Sequence, residues 1–352
     1  MIKLGIIGCG YIASKHVETI SSFKEIRLAA VSDIIQDKMV EVLSKYNKNH
    51  SNNNVGMYSN YKDLLKSDVD VVVISVISGL HSIIAKEALL SNKHVILEKP
   101  IALTIQEARE LVSIAKEKEI KLLLCHQLRY LTVVKKIKEY IDKGQLGVPY
   151  LAVASVRINR DSNYYASASW RGTWEHDGGM LINQGIHLID LLVWLLGDVT
   201  KVYGEISNKN TTKETEDIAL GIINFKNGAK GVIEANSLTK PKNQGYYLSL
   251  FFQNGTILIG GEKISTVHHS YIEEVEGTFE DLTQLSLQQE EHHLMYKDFI
   301  QAIQTKNKAE VEGSDVIPSL EAIFGLYTSH LQGMPISMPI DKFSTKNMNG
   351  IN

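Results

Sequence analysis

The sequence predicts a doubly wound parallel α/β domain followed by an α+β domain built on a large, mostly antiparallel open sheet. Two patterns predict it. In the first third, short apolar runs alternate with helical stretches: KLGIIG (3–8), IRLAAVSD (26–33), DVVVISV (70–76), HVILEKP (94–100) and KLLLC (121–125), with helical patterns at 79–92 and 104–118. That alternation implies parallel strands with right-handed crossovers. After about residue 148 the helices give way to successive strand-like runs. A length of 352 residues favours two domains over one. The boundaries expected are 1–126 for the first, 127–340 for the second and 341–352 for a loose polar tail.

Each strand is justified by its residues. DVVVISV is β-branched and continuous, as a strand buried on both faces requires. NKNHSNNNVG (47–56) is a polar loop without core potential. In the second half, PYLAVASVRINR, KVYGEIS, DIALGIINF, AKGVIEANS, YYLSLFF and TILIGG read as strands. Lys226-Asn227-Gly228 and Gln253-Asn254-Gly255 separate apolar runs and signal hairpins. Amphipathic helices follow at 289–304 and 315–331.

Composition excludes several classes. A formal net charge of −3 lacks the basic face that nucleic acid needs, and any anion site must be built locally. No charge-free apolar stretch is long enough to span a bilayer, so no membrane partner is expected. MIKLGIIGCG reads as mature structure rather than a leader. Two cysteines, Cys9 and Cys125, form neither a disulfide framework nor a zinc set, and point to a reduced cytoplasm. His292 and His293, adjacent on a helix, diverge and make a poor chelate; no metal is expected.

The loop Gly8-Cys9-Gly10-Tyr11-Ile12-Ala13 fits G-x-G-x-x-A between the first strand and the first helix. Gly8 permits the tight turn, Gly10 the approach of a pyrophosphate, and Ala13 close helix–strand packing. Asp33 ends the second strand, where a carboxylate accepts ribose hydroxyls and repels a 2′-phosphate. No Arg follows at Ile34, Ile35 or Gln36, so NAD is expected over NADP. Ligands of such sheets lie beyond the carboxyl ends of the strands. Ser75, His81, Glu98, Lys99, His126 and Gln127 all fall there. Pro100 biases Lys99 towards an extended backbone.

MLINQGIHLIDLLVWLLG (180–197) follows Gly178-Gly179 and reads as a buried helix stopped by Gly197. Asn183, His187 and Asp190 follow i, i+4, i+7, a polar stripe that needs polar partners or a cavity. The stripe is expected to line a cleft between the two domains. Tyr164, Tyr165 and Trp174 suit either stacking on a base or core packing.

Taken together, GIIGCGYIA, Asp33, Glu98-Lys99-Pro100, GGMLINQGIHLIDLLVWLLG, YKDFIQAI (296–303) and LEAIFGLYTSHLQGMPISMP (320–339) resemble the Gfo/Idh/MocA oxidoreductases. The resemblance implies that Lys99 contacts substrate and nicotinamide and that His187 is the catalytic histidine. The family often has Asp four residues before that His; here it is Asn183, expected to orient a sugar hydroxyl. The Asn-Gln-x-x-His variant looks most like a branch acting on nucleotide sugars, the UDP-N-acetylglucosaminuronate 3-dehydrogenases. That resemblance brings Trp170 and Arg171 to the cofactor, with Gln127, and Arg129 and Tyr165 to the substrate. It implies NAD-dependent hydride transfer at a sugar carbon, a sugar or UDP-sugar substrate, and a homodimer or homotetramer. Other readings are a free polyol or inositol dehydrogenase, a glycoside hydrolase or lyase using transient oxidation at C3, and a sensor without turnover.

Overall fold

The computed structural model describes residues 1–48, 54–210 and 212–350. In chain order the elements are β1 (Ile2–Ile7), α1 (Tyr11–Ile20), β2 (Ile26–Ser32), α2 (Gln36–Asn47), β3 (Gly56–Tyr58), α3 (Tyr61–Lys66), β4 (Val71–Ile74), α4 (His81–Leu90), β5 (His94–Leu97), α5 (Ile105–Glu117) and β6 (Leu122–Leu124). There follow α6 (Thr132–Asp142), β7 (Pro149–Arg157), α7 (Ser162–Ala166), α8 (Ile186–Leu196), β8 (Val199–Ser207), β9 (Ile218–Phe225), β10 (Lys230–Asn236), β11 (Gly245–Phe252), β12 (Gly255–Gly261) and β13 (Thr266–Ile272). The chain ends with α9 (Thr278–Ser286), α10 (Glu291–Thr305), α11 (Ile317–Gln332) and β14 (Ile336–Ser337).

Two compact units result. The first takes in 1–103, 107–125 and 292–316, so the chain re-enters it through α10, which a single boundary at 126 does not anticipate. Its six strands run in parallel in the order β3-β2-β1-β4-β5-β6. Val71, Val72, Val73 and Ile74 are all buried, which is why β4 shows no polar alternation. The order reverses at β1, the switch point where such sheets bind ligands.

The second unit carries an eight-stranded sheet, β13-β12-β11-β7-β10-β9-β8-β14. Its named strands pair antiparallel except β7 with β10. Both expected hairpins form: Phe225 N donates to Ala229 O at 3.0 Å around Gly228, whose φ is +92°. In the second, Gln253 and Asn254 alone make the turn, and Gly255 already pairs with Phe252. β9 alternates buried and outward residues, leaving Leu220 and Ile222 about half exposed on one face. α8 and α11 pack with each other and α11 with β8.

Two expectations change, and one strand goes unanticipated. TVHHSYI forms β13, although its adjacent histidines hide the alternation. The tail is not loose: Phe343, Thr345 and Met348 are buried, and Thr345 Oγ1 donates to Trp174 O at 2.6 Å. The segment 180–197 is not one regular helix: Leu181–Gly185 forms a π-helical turn ahead of α8. Of the polar loop at 47–56, residues 49–53 lie outside the described residues, and Gly56 opens β3. No described helix is long and apolar enough to cross a membrane.

Candidate active site

In the first unit the glycine loop behaves as its spacing predicts. Gly8 has φ +91°, and a Cβ there would lie 2.7 Å from Ser75 O, so only glycine lets β1 turn against β4. Ser75 closes that contact, its hydroxyl donating to Gly8 O at 2.7 Å. Above Gly10 a Cβ would meet nothing within 4 Å, the open space a pyrophosphate needs. Gly10 caps α1 with no side-chain bond, leaving first-turn N–H groups for an anion. Ala13 is buried beneath, while Tyr11 is 96 % and Ile34 90 % exposed beside the loop. Asp33 does more than expected: its Oδ2 accepts from Cys9 N at 2.7 Å and its Oδ1 from Ile35 N at 2.8 Å. It fixes the glycine loop and keeps acceptor lone pairs for a ribose. These residues fit a dinucleotide.

Lys99 leaves the end of β5 half-buried, joined to Pro100 by a cis peptide. Glu98 turns inward. Its Oε1 lies 3.1 Å from His16 Nε2, and His16 Nδ1 lies 2.8 Å from Tyr296 Oη. Glu98 Oε2 also accepts from Lys99 N at 3.3 Å. Burial alone would raise the Glu98 carboxyl; the hydrogen bond and charge of His16, with Lys99 and His81, hold it down at about 2. Burial, then Glu98, pushes the Cys125 thiol well up, so it stays protonated and hydrogen-bonds to Glu98. His16, Glu98 and Cys125 offer atoms within 4.8 Å of one another. The three form a hydrogen-bonded network that braces the turn at Lys99. His81 also braces: its ring nitrogens lie 2.7 Å from Pro100 O and 3.1 Å from Val76 O, and burial lowers its pKa. His292 and His293 diverge as expected. His293 stacks on Phe23 at 4.4 Å, while His292 meets the His16 ring edge-on at 6.5 Å.

In the second unit the polar stripe divides. Across the π-helical turn, Asn183, Gln184 and His187 stay half-buried, whereas Asp190 is 1 % exposed. Arg129 is 2 % exposed, and its Nε and Nη2 reach Asp190 at 2.7 and 2.6 Å in a bidentate pair. Expected at the substrate, Arg129 is instead committed to Asp190 and packs over the Trp194 ring at 5.3 Å. Ser319 Oγ donates to Asp190 Oδ1 at 2.8 Å. His126 Nδ1 lies 3.1 Å from Asp190 Oδ2, close enough for charge attraction though off hydrogen-bond geometry. Burial would raise Asp190; His126 and Arg129 hold it far below the carboxylate range. The His126 ring then meets the His187 ring edge-to-face at 6.0 Å.

Two residues missed by sequence reasoning support this helix. Asp177 is buried and accepts from Asn183 Nδ2 and, at 2.7 Å, from Gly172 N. The carboxylate that Asn183 lacks is thus supplied six residues earlier. Glu216 is buried and accepts from Leu181 N at 2.8 Å and Tyr327 Oη at 2.6 Å; burial raises its pKa. Gly179, φ +105°, is what lets the backbone pass: a Cβ there would lie 2.4 Å from Tyr327 Oη. Its signal was the Gly-Gly pair itself. Trp174 packs in the core against Tyr327 at 5.3 Å. Tyr165 sits 5.1 Å from Lys213 Nζ, with its hydroxyl pKa raised by burial. Arg171 stacks on Trp170 at 4.6 Å and on Tyr164 at 4.3 Å. Gln127 Oε1 is buried with no partner among the described residues.

Comparison with known proteins identifies the family. The family model "Oxidoreductase family, NAD-binding Rossmann fold" matches residues 2–126, and "GFO/IDH/MocA C-terminal domain" matches 134–260. The WlbA dehydrogenase of Chromobacterium violaceum, solved with NADH and UDP-GlcNAcA, is 27 % identical with a TM-score of 0.90, covering 97 % of this chain and 96 % of that one. WlbA of Bordetella pertussis, solved with the same two ligands, is 27 % identical with a TM-score of 0.87, covering 97 % and 99 %. A myo-inositol 2-dehydrogenase of Thermotoga maritima is 25 % identical over 76 % of this chain and 77 % of its own length. With both of its halves matched and the glycine loop shaped for a dinucleotide, this chain belongs to the Gfo/Idh/MocA family of NAD-dependent oxidoreductases.

Proposed function

We propose that the protein oxidises a secondary ring hydroxyl of a UDP-linked sugar, at C3, and can run the reaction in reverse. The observation that carries this reading is the likeness, over 97 % of the chain, to a dehydrogenase holding NADH and UDP-GlcNAcA. NAD, when bound, accepts the hydride at C4 of its nicotinamide. Gly8, Gly10, Tyr11 and Ile12 would hold its pyrophosphate and Asp33 a ribose. Ser75, His81, Glu98 and Gln127 would shape the nicotinamide end, with Trp170 and Arg171 closing on the cofactor.

His187 is assigned the proton of the reacting hydroxyl. An imidazole titrates near neutrality without a large shift, as a general base at neutral pH requires. The ammonium of Lys99 would stabilise the developing alkoxide. Asn183, braced by Asp177, would orient a sugar hydroxyl. The outward face of β9 carries Leu220 and Ile222, which suits burial between copies in a homo-oligomer; light scattering reads that directly.

The test is NADH formation, followed by absorbance, on UDP-GlcNAcA, UDP-GlcNAc, glucose and myo-inositol, each with NAD and NADP. Turnover confined to UDP-sugars with NAD is expected. The Thermotoga relative favours a second reading, a free polyol dehydrogenase, and turnover of myo-inositol alone would establish it.

A further inference from the structure

One charged cluster in the second unit is left over once the candidate acid/base groups are placed. Arg160, just beyond β7, brings its guanidinium 4.9 Å from the centre of the Tyr164 ring. Arg171 lies 4.3 Å from the same ring and donates from Nη1 to Tyr164 Oη at 2.6 Å. Arg160 Nη1 donates to Asn159 O at 2.7 Å and to Asn243 Oδ1 at 3.2 Å, and Nη2 donates to Gln184 Oε1 at 3.1 Å, which leaves the Nε–Nη2 edge of the guanidinium; the Gln184 amide donates to Tyr164 Oη at 3.3 Å. Gln184 lies three residues before His187, so the Arg160 contact adjoins the turn that precedes the proposed base.

Two like charges sharing one ring repel each other and are held together here without a counter-ion. Among the described residues no carboxylate forms an ion pair with either guanidinium. Nearby acids are engaged elsewhere: Asp161 caps α7 by accepting from Tyr164 N at 3.0 Å, and Asp177 accepts from Gly172 N and Asn183. Nε of Arg160 and Nε of Arg171 are both buried with no hydrogen-bond partner among the described residues. A buried donor without an acceptor is costly, and its usual resolution is a ligand or water. The planar fork of a guanidinium matches the paired oxygens of a carboxylate or phosphoryl group. A chain with net charge −3 has no broad cationic field, so an anionic substrate needs such a local device.

We propose that Arg160, beside the Arg171 assigned to the cofactor, forms the subsite for an anionic oxygen group of the sugar substrate, a ring carboxylate or the phosphoryl groups of a nucleotide linkage. The proposal rests on the sugar-oxidation reading above but is tested apart from it. Isothermal titration of the NADH-loaded enzyme with UDP and with N-acetylglucosaminuronate, for wild type, Arg160→Gln and Arg160→Lys, measures the subsite without turnover. At least tenfold weaker binding of one anion in Arg160→Gln, with part of it recovered in Arg160→Lys, is the expected result. Loss with UDP assigns the phosphoryl groups; loss with the uronate assigns the carboxylate. Equal affinities in wild type and Arg160→Gln, no binding of either anion to wild type, or a loss confined to NADH would overturn the proposal. Circular dichroism confirms that each variant is folded. Failure of the sugar-oxidation reading shows separately, as wild type that turns over no UDP-sugar.

Discussion

The two units of the molecule brace their candidate chemical groups by the same device, built from different sequence distances. In the first, Lys99 is half-buried and the carboxylate behind it, Glu98, is held by His16 and Tyr296. In the second, His187 is half-buried and the carboxylate one turn later, Asp190, is held by Arg129, Ser319 and His126. In each case the charge that would be costly to bury is paired. What differs is the cation. Glu98 meets one imidazole, that of His16, whereas Asp190 meets the His126 imidazole and also a guanidinium, Arg129, which is always charged. The second brace therefore has a fixed cation that the first lacks, while both carboxyls are held below their ordinary range.

Breaking the pair with the fixed cation should have the largest effect on stability. Arg129→Met leaves Asp190 buried without its bidentate partner and is expected to cost about 3–5 kcal/mol, read as a lower urea midpoint. A loss under 1 kcal/mol would show that the pair is dispensable. Gly179→Ala comes next. Its φ of +105° and the 2.4 Å approach to Tyr327 Oη predict about 1–3 kcal/mol of strain and a displaced π-helical turn, so kcat should fall as well. The Glu98 brace should give the smallest change at neutral pH. Its carboxyl sits at about 2 against an ordinary 4.5, so its contribution is present above 4.5 and is lost as pH falls towards 2. Glu98→Gln, which keeps the shape and one acceptor, should cost about 0.5–1.5 kcal/mol at pH 7 and flatten the acid limb of stability. Unchanged pH dependence in that variant would show that the Glu98 brace carries no part of the acid stability.

The first unit was largely legible because its signals are local. The glycine loop, Asp33 and the β-branched runs each carry their meaning within a few residues. The hairpins of the second unit were legible for the same reason. Its braces were not. Arg129 and Asp190 are 61 residues apart, and Glu216 and Tyr327 are 111 apart. No periodicity records such a pairing, so Arg129 was expected at the substrate and Asp190 on an open stripe. A one-register slip in the helix had the same effect. The π-helical turn at Leu181–Gly185 changes which residues share a face, and i, i+4 spacing assumes that no such turn exists. Phe343 and Met348 were read as part of a polar tail because three apolar residues among twelve set no pattern, yet these two find the core.

The account's central claim is that His187 performs proton transfer while the first unit holds the cofactor. The most direct test measures both in one variant, His187→Asn: NADH affinity by fluorescence titration and kcat on the substrate that wild type turns over. The account predicts unchanged NADH affinity with kcat reduced by ~10² to 10⁴-fold. Wild-type turnover in that variant would contradict it.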